Sequence, residues 1–250
     1  MPQDYFDEPI AATYDAGSAD RFDPAVLEPT VDFLAALAGD GAALELGIGT
    51  GRVALPLSRR GVRVTGIDLS TAMVSRLRGK PGGDAIDVTI GDFASTGVDG
   101  AGTFRLVYLV FNTIGNLTSQ DAQVECFRNA AAHLAPGGSF VIEVGVPKVR
   151  RTPPGETIRV FATAPGYLGF EEYTDLVNQQ MTSNHWRVTD DGKSRTGASF
   201  VPLRYVWPSE LDLMARLAGL SLRERWAGWD RAPFTGASDS HVSVWQKPEE

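Results

Sequence analysis

The chain contains 250 residues, of which 43% are hydrophobic, enough to bury a full core as one domain with an elaboration. Its formal net charge is −8, so a basic surface for nucleic acid or an anionic membrane is not expected. The single cysteine, Cys126, excludes an intramolecular disulfide, and neither a secretory signal nor an apolar stretch of membrane-spanning length is evident. These properties predict a cytoplasmic protein, and no metal site is expected.

The first forty residues predict a helical N-terminal region. Positions 1–22 are rich in Asp, Tyr and Phe, and positions 24–37 carry apolar residues at helical spacing. The aromatic side chains would pin this region to a core. We treat residues 1–39 as one N-terminal segment.

Three glycines at alternate positions, Gly47, Gly49 and Gly51, form the most informative pattern in the chain. They follow a short apolar run that carries one carboxylate, Glu45, and they precede a predicted helix over 52–60. A buried strand therefore turns sharply into a helix, where glycine permits unusual backbone angles and the close approach of a ligand. The spacing G-x-G-x-G differs from the dinucleotide pattern G-x-G-x-x-G, which favours another nucleotide-type ligand.

The next two predicted strands also end at acids. The strand over 62–67 ends at Asp68, where a carboxylate can accept two hydrogen bonds from a ribose diol. The strand over 86–90 ends at Gly91-Asp92-Phe93. A fourth strand over 105–111 runs into Asn112, and L-A-P-G-G at 134–138 precedes a fifth.

Glu45 to Gly51 resembles motif I of the class I S-adenosylmethionine (SAM) methyltransferases, commonly written E/D-x-G-x-G-x-G. G-D-F at 91–93 resembles the adenine-contacting motif of that family, and L-A-P-G-G resembles its hairpin before strand five. With Asp68 at the end of the second strand these make four motifs, and four motifs in this order over about 100 residues are hard to obtain by chance. By this resemblance the chain is identified as a member of the family.

The resemblance implies SAM as the cofactor and S-adenosylhomocysteine as the product. It implies cofactor contacts from the following residues: Tyr14, Glu45, Gly47, Gly49, Gly51, Asp68, Leu69, Asp92, Phe93 and Phe111. Asp68 would hold the ribose, Asp92 would meet the exocyclic amine of adenine, and Phe93 would pack on the ring. Tyr14 lies in I-A-A-T-Y-D, which resembles the N-terminal lid of small-molecule methyltransferases, and its alternative role is to pin that segment to the core.

The family fold is α/β, with a Rossmann-like seven-stranded sheet in the order 3-2-1-4-5-7-6 and helices on both faces. Strand 7 is antiparallel. Residues 40–145 would form the SAM-binding core, and residues 208–250 would complete it with a helix over 209–217 and strands over 221–229 and 241–247.

Residues 146–207 separate strand five from the next helix, and this is far longer than an ordinary connection. Strands are predicted over 157–162, 168–176, 177–188 and 198–205, with a hairpin turn at Asp190-Asp191-Gly192. Because strand five ends at the same sheet edge as the glycines, we expect an inserted antiparallel β cap beside the cofactor. Such a cap would recognise substrate, mediate a homodimer, or do both.

Methyl transfer requires mainly geometry, because SAM carries its own leaving group. A general base is needed only when the nucleophile arrives protonated. His185, in the cap, is one candidate base, and its alternative is a solvated strand residue; Glu171, Glu172 and Asp175 compete for the same role. Asn112 after strand four is a candidate positioning residue.

We therefore predict a SAM-dependent methyltransferase that acts on N or O of a small polar molecule such as a secondary-metabolite intermediate. F-N-T-I-G-N-L at 111–117, together with the cap, resembles the amino-sugar N-methyltransferases of antibiotic biosynthesis. Two alternatives stay open. One is a nicotinamide-dependent oxidoreductase, and the other is a protein of this fold that binds SAM without transferring its methyl group.

Overall fold

The protein combines an α/β layer structure with a separate β-sheet, and its computed structural model describes residues 3–189 and 193–249. Helices α1 to α6 cover Glu8–Gly17, Pro24–Ala38, Ala54–Arg59, Thr71–Arg78, Gln120–His133 and Pro208–Leu217. Strands β1 to β5 cover Ala43–Leu46, Val64–Asp68, Asp87–Ile90, Phe104–Leu109 and Leu134–Gly145. Strands β6 to β11 cover Ile158–Ala164, Tyr167–Asp175, Gln180–Val188, Arg195–Arg204, Ser221–Trp226 and Ser240–Gln246.

A seven-stranded sheet forms the centre, in the order β10-β11-β5-β4-β1-β2-β3. The pairs among β1 to β5 are parallel, whereas β11 runs antiparallel to both β5 and β10. In the numbering of the core strands alone this order is 3-2-1-4-5-7-6, so the predicted topology and its antiparallel seventh strand are confirmed. The carboxyl ends of β1, β2 and β4 share one edge, which brings the glycine segment, Asp68 and Asn112 to the same side of the sheet.

The core has two layers, one on each face of this sheet. Successive residues of β5 point to opposite faces and so contribute to both layers. Phe140 packs against Phe127 of α5, with ring centroids 5.0 Å apart, and Val141 packs on the opposite face with Leu34 of α2. Strands covered on both faces read as continuous apolar runs, because neither face is left for polar side chains. For this reason these strands could be predicted from the sequence as apolar runs.

Helix α1 is fastened to the glycine segment and to the start of α4. Its Asp15 carboxylate accepts a hydrogen bond from Thr50 Oγ1 at 2.6 Å and pairs with Lys80 Nζ at 2.5 Å. The Ser70 hydroxyl, which caps α4, donates to the carbonyl oxygen of Phe6 at 2.6 Å. The N-terminal segment therefore lies against the sheet edge that carries the glycines.

Strands β6 to β9 form a separate four-stranded antiparallel sheet in chain order. This is the antiparallel β cap that was predicted after strand five. Its fourth strand begins at Arg195, earlier than the predicted 198. The hairpin turn predicted at 190–192 lies outside the described residues.

The third cap strand begins at Gln180 and not at 177, because a turn precedes it. Asp175 Oδ1 accepts hydrogen bonds from the backbone N–H groups of Val177, at 2.8 Å, and Asn178, at 3.1 Å. Gln179 then adopts a positive φ of 59°. The sequence shows no glycine or proline here, so this aspartate turn was missed.

A buried polar cluster joins the cap to the core. Arg204, at the end of β9, is 4% exposed, and its guanidinium donates hydrogen bonds to Gln123 of α5, Gln179 of the cap turn and Glu210 of α6. Gln123 Nε2 returns a hydrogen bond to the carbonyl oxygen of Arg204 at 3.2 Å. These contacts fix the cap against two core helices.

Candidate active site

All three glycines of the motif have positive φ: 74° at Gly47, 55° at Gly49 and 76° at Gly51. They serve different purposes. A Cβ on Gly51 would lie 2.2 Å from Leu77 Cδ1, and one on Gly47 would lie 2.6 Å from Thr113 Cγ2, so these two permit close packing. A Cβ on Gly49 would meet only Met73 Cε, at 3.5 Å, which leaves the space above this backbone open to a ligand.

Asp68 is tied to the glycine segment. Its Oδ2 accepts a hydrogen bond from Gly49 N at 2.6 Å, and its Oδ1 accepts one from Ser70 N at 2.8 Å. Burial raises the pKa of this carboxyl, while the backbone N–H donors oppose that shift. Leu69 follows it and is half-buried. The carboxylate thus lies at the carboxyl end of β2 with its orientation fixed by backbone, as a ribose-binding acid requires.

Glu45 is 2% exposed and lies inside the sheet. The hydroxyl of Tyr108, on the neighbouring strand β4, donates a hydrogen bond to Glu45 Oε2 at 2.9 Å. Burial raises the pKa of Glu45 to about 8, although the Tyr108 hydrogen bond and the charge of Arg52 act in the opposite direction. The carboxyl is therefore largely protonated at neutral pH.

Asp92 and Phe93 follow β3. Asp92 Oδ1 accepts a hydrogen bond from Ala94 N at 2.9 Å and so organises the turn. Phe93 is 8% exposed and belongs to the hydrophobic core. Its carbonyl oxygen accepts a hydrogen bond from Asn129 Nδ2 at 2.9 Å. Adenine contacts by Asp92 and Phe93 stay a prediction.

Two consecutive residues after β4, Phe111 and Asn112, have left-handed backbones, with φ of 58° and 61°. Such angles are uncommon outside glycine and are rare for a bulky aromatic residue. Two partners hold them there: Glu143 Oε2 accepts from Phe111 N at 2.8 Å, and Asn112 Oδ1 accepts from Gly145 N at 2.6 Å. Because of this turn, β4 ends at 109 and not at the predicted 111. No sequence pattern indicated Glu143, which lies 32 residues beyond Phe111.

Tyr14 of α1 is half-buried, and its ring packs edge-on against Phe6 with centroids 6.1 Å apart. Burial raises the pKa of its hydroxyl, and the charges of Arg52 and Arg21 lower it. The guanidinium of Arg21 also lies 3.9 Å from the centre of the Phe111 ring. Tyr14 thus packs within the N-terminal segment and lies within electrostatic reach of Arg52, which directly follows the glycine segment. Direct contact with the cofactor stays a prediction.

One face of the cap carries most of its polar side chains. Strand pairing sets Gly169 opposite His185 and Glu171 opposite Ser183, and alternate residues along each strand share a face. We call the face with Tyr167, Glu171, Tyr173, Ser183 and His185 the inner face of the cap.

The inner face points toward the carboxyl edge of the central sheet. Leu203, on this face, lies beside Gly115 of the turn that follows β4. The hydroxyl of Tyr173 lies within hydrogen-bonding reach of the backbone of Val149, just after β5. The positive charge of Lys148 is close enough to Glu171 to lower the pKa of its carboxyl. The opposite face is more exposed and carries apolar side chains: Ile158, Val160 and Phe200.

His185 is held within the cap. Its Nδ1 shares a 2.7 Å hydrogen bond with the Tyr167 hydroxyl, and its Nε2 shares a 3.1 Å bond with Ser183 Oγ. The Phe161 ring lies edge-on against it, 5.6 Å between centroids, in space that the missing Cβ of Gly169 leaves free. Burial lowers the pKa of His185. Among the described residues these cap groups are the hydrogen-bond and ring partners of His185, and a catalytic role stays a prediction.

The three acids that compete with His185 are separated by the fold. Glu171 lies on the inner face. Glu172 pairs with Ile158 on the opposite face, and Asp175 is engaged in its own turn with Val177 and Asn178. Only Glu171 is therefore directed toward the sheet edge.

Comparison with known proteins identifies the class. Residues 43–138 match the family model described as a methyltransferase domain. The solved structure of the CcbJ methyltransferase from Streptomyces caelestis is 35% identical, with 98% of each chain covered and a TM-score of 0.84. The chain belongs to the SAM-dependent methyltransferases, and this assignment removes the nicotinamide-dependent alternative.

Two further relatives are informative. The cypemycin N-terminal methyltransferase of a Streptomyces species is 27% identical over 210 residues, 82% of each chain. CalS10, an amino pentose methyltransferase of Micromonospora echinaspora solved with SAM bound, shares the fold at 21% identity, with 94% of this chain and 96% of that chain covered and a TM-score of 0.68. The protein is thus similar to methyltransferases of natural-product biosynthesis.

The site fits SAM. Gly49 leaves backbone open to a ligand, and Asp68 presents a fixed carboxylate beside it. Across residues 3–189 and 193–249, no helix is both long and apolar enough to cross a membrane, and no group of three or more His, Cys, Asp and Glu side chains is arranged to hold a metal ion.

Asp68→Ala should weaken SAM binding roughly tenfold to a hundredfold, because losing hydrogen bonds to a charged group typically costs about 1.5–3 kcal/mol. Calorimetric titration with SAM would measure the change, and circular dichroism would check that the fold persists. Asp87→Ala, at an exposed position on β3, is the matched control and should bind SAM normally. Equal affinity in the Asp68 variant and the control would remove Asp68 from the cofactor site.

Proposed function

We propose that the protein transfers the methyl group of SAM to a nitrogen of a small amine, an intermediate of natural-product biosynthesis, by in-line displacement. The observation that carries the proposal is the inner face of the cap, where a carboxylate and hydroxyl groups face the sheet edge at which we expect the cofactor to bind. The names of the relatives support nitrogen as the acceptor atom, since one is an N-terminal methyltransferase and another acts on an amino pentose.

For methyl transfer the protein must chiefly position its two substrates and exclude water from the space between them. SAM brings the methyl group and the leaving group, so the cap and the N-terminal segment would hold the acceptor in line and exclude water. The turn at Phe111 and Asn112 has Arg21 of the N-terminal segment over the Phe111 ring, and Gly115, just after the turn, lies beside Leu203 of the cap. This turn would therefore lie beneath the acceptor. The positioning role of Asn112 stays a prediction, as does a homodimer formed through the exposed apolar face of the cap.

Turnover tests the proposal. The protein would be incubated with SAM and a panel of paired compounds, each primary or secondary amine matched with the alcohol of the same skeleton, including amino sugars and short peptides. Formation of S-adenosylhomocysteine on amines and not on the matched alcohols is expected. Tight SAM binding without turnover on either set would favour the alternative of a protein that binds SAM and does not transfer its methyl group.

His185→Ala should lower kcat by less than about tenfold and leave the acidic limb of the pH profile in place, because both ring nitrogens are already bonded within the cap. A general base would behave differently: its loss typically costs about a hundredfold or more, and the limb would disappear. Steady-state kinetics between pH 5 and pH 9 distinguish the two. Tyr167→Phe, which removes one partner of the histidine and retains the ring, is the matched control.

A further inference from the structure

Glu171 has a buried carboxylate oxygen without a hydrogen-bond donor. Among the described residues no donor lies within hydrogen-bond distance of Glu171 Oε2, which is shielded from solvent. The partner in its ion pair, Arg159 Nη1, lies 3.6 Å away, beyond the range of a direct hydrogen bond. Such a group is costly to leave unsatisfied, so it marks a place where a donor is missing.

Arg159 is poorly placed to supply that donor permanently. It lies on β6, the edge strand of the cap sheet, and its side chain is 40% exposed. Lys148 acts on Glu171 at longer range, but its ammonium is already paired with Asp239. Arg159 can therefore move into solvent at little cost, since exposed ion pairs contribute about 0–1 kcal/mol.

The groups that face Glu171 come from each element packed against it. They are Arg159 of β6, Lys148 after β5, Tyr173 of β7 itself, and Ser183 and His185 of β8 on the same face. Burial raises the pKa of Glu171, while the charges of Arg159 and Lys148 and the Tyr173 hydroxyl oppose the shift. The Glu171 carboxyl is therefore ionised while a cation lies next to it, and it can accept a proton when that cation moves away.

We propose that Glu171 binds the amino group of the methyl acceptor and accepts its proton, with Arg159 occupying the place of that amine in the free protein. The proposal rests on the proposed function and adds the substrate class, an amine that arrives as a cation. Displacement of Arg159 by the acceptor gives Oε2 the charged donor that it lacks.

The proton balance closes without any further reagent. The ammonium of the acceptor gives one proton to the Glu171 carboxylate and becomes a neutral amine. Its nitrogen lone pair forms the new bond to the methyl carbon, the carbon–sulfur bond breaks, and its electron pair stays on sulfur. The product leaves as a methylated ammonium, and the protonated Glu171 then releases its proton to solvent.

Three variants test the assignment on the amine that the paired panel identifies. Glu171→Gln should lower kcat/KM for the amine by about a hundredfold, since a charged buried contact is lost. Arg159→Gln should leave kcat/KM unchanged or raise it, because it removes the competing cation. Glu172→Gln, the adjacent acid on the opposite face, is the matched control and should behave as wild type. All three should bind SAM within about twofold of wild type, because none of these residues belongs to the glycine segment or to the acids that we expect to hold the cofactor.

The pH profile supplies a second readout. Activity of the wild type on the amine should fall as pH drops below the pKa of Glu171, because the carboxylate then no longer holds the ammonium, and this limb should be absent in Glu171→Gln. Normal activity of Glu171→Gln, or a loss in Glu172→Gln of the same size, would overturn the proposal while leaving the methyltransferase function intact. Turnover of alcohols in preference to amines would also overturn it. Absence of turnover on both sets would contradict the proposed function itself.

Discussion

Gly49→Val should abolish measurable SAM binding while the protein stays folded. Gly49 has a φ of 55°, and a β-branched residue in this left-handed region carries about 1–3 kcal/mol of strain. Its Cβ would point into the space that the ligand needs, since only Met73 Cε lies within 4 Å of it. We expect an increase in Kd of at least about a hundredfold, equivalent to about 2.7 kcal/mol, in calorimetric titration.

Gly61→Val is the matched control for Gly49→Val. Gly61 follows α3 with a φ of 89°, and a Cβ there would meet no atom within 4 Å, so the same substitution imposes backbone strain without entering the cofactor cleft. Thermal unfolding should show comparable losses of stability for the two variants, and only Gly49→Val should lose SAM. Normal SAM binding by Gly49→Val would show that the cofactor does not approach this backbone.

Arg204→Met should lower the free energy of unfolding by about 3–5 kcal/mol, because removing one partner of a buried ion pair leaves the other charge uncompensated. Glu210 would lose its cationic partner, and Gln123 would lose the donor to its carbonyl oxygen. Urea denaturation followed by circular dichroism measures the change. If the cluster contributes little to stability, the free energy of unfolding of the variant will instead lie within about 0.5 kcal/mol of the wild-type value.

Two companion variants separate charge from packing in this cluster. Arg223→Met, at an exposed position on β10, removes a similar side chain from the surface and should change stability little. Arg204→Met combined with Glu210→Gln should recover part of the loss, because no unpaired charge is then buried. If the double variant is no more stable than Arg204→Met alone, then lost side-chain packing, and not the unpaired Glu210 carboxylate, accounts for the loss of stability.

The central sheet could be predicted because its physical causes are local. β1 and β4 are covered on both faces and so appear as apolar runs. The glycine segment after β1 and Asp68 at the end of β2 mark where those two strands stop. Once the strand order followed the family pattern, the shared edge placed the glycine segment next to Asp68. The hydrogen bond from Gly49 N to Asp68 Oδ2 is the direct result.

What could not be predicted depends on contacts between distant positions. Phe111 and Asn112 adopt left-handed backbones without a glycine, and the groups that hold them, Glu143 and Gly145, lie on the next strand. The attachment of Asp15 to Thr50 spans 35 residues. In the cap, periodicity showed which residues share a face but not which face meets the core, so Glu171 and His185 could not be ranked as candidates from the sequence alone.

Glu45 adds a consequence for how the protein responds to pH. The pKa of this carboxyl is about 8 when folded, against an ordinary value of 4.5, so folding retains its proton and the stability of the free protein declines as pH rises between these values. A ligand cation that requires Glu45 ionised must displace that proton, and the cost of doing so falls as the pH approaches the pKa. Protons and such a cation therefore compete for one carboxyl. Below the pKa, the affinity for the cation increases about tenfold for each unit by which the pH rises.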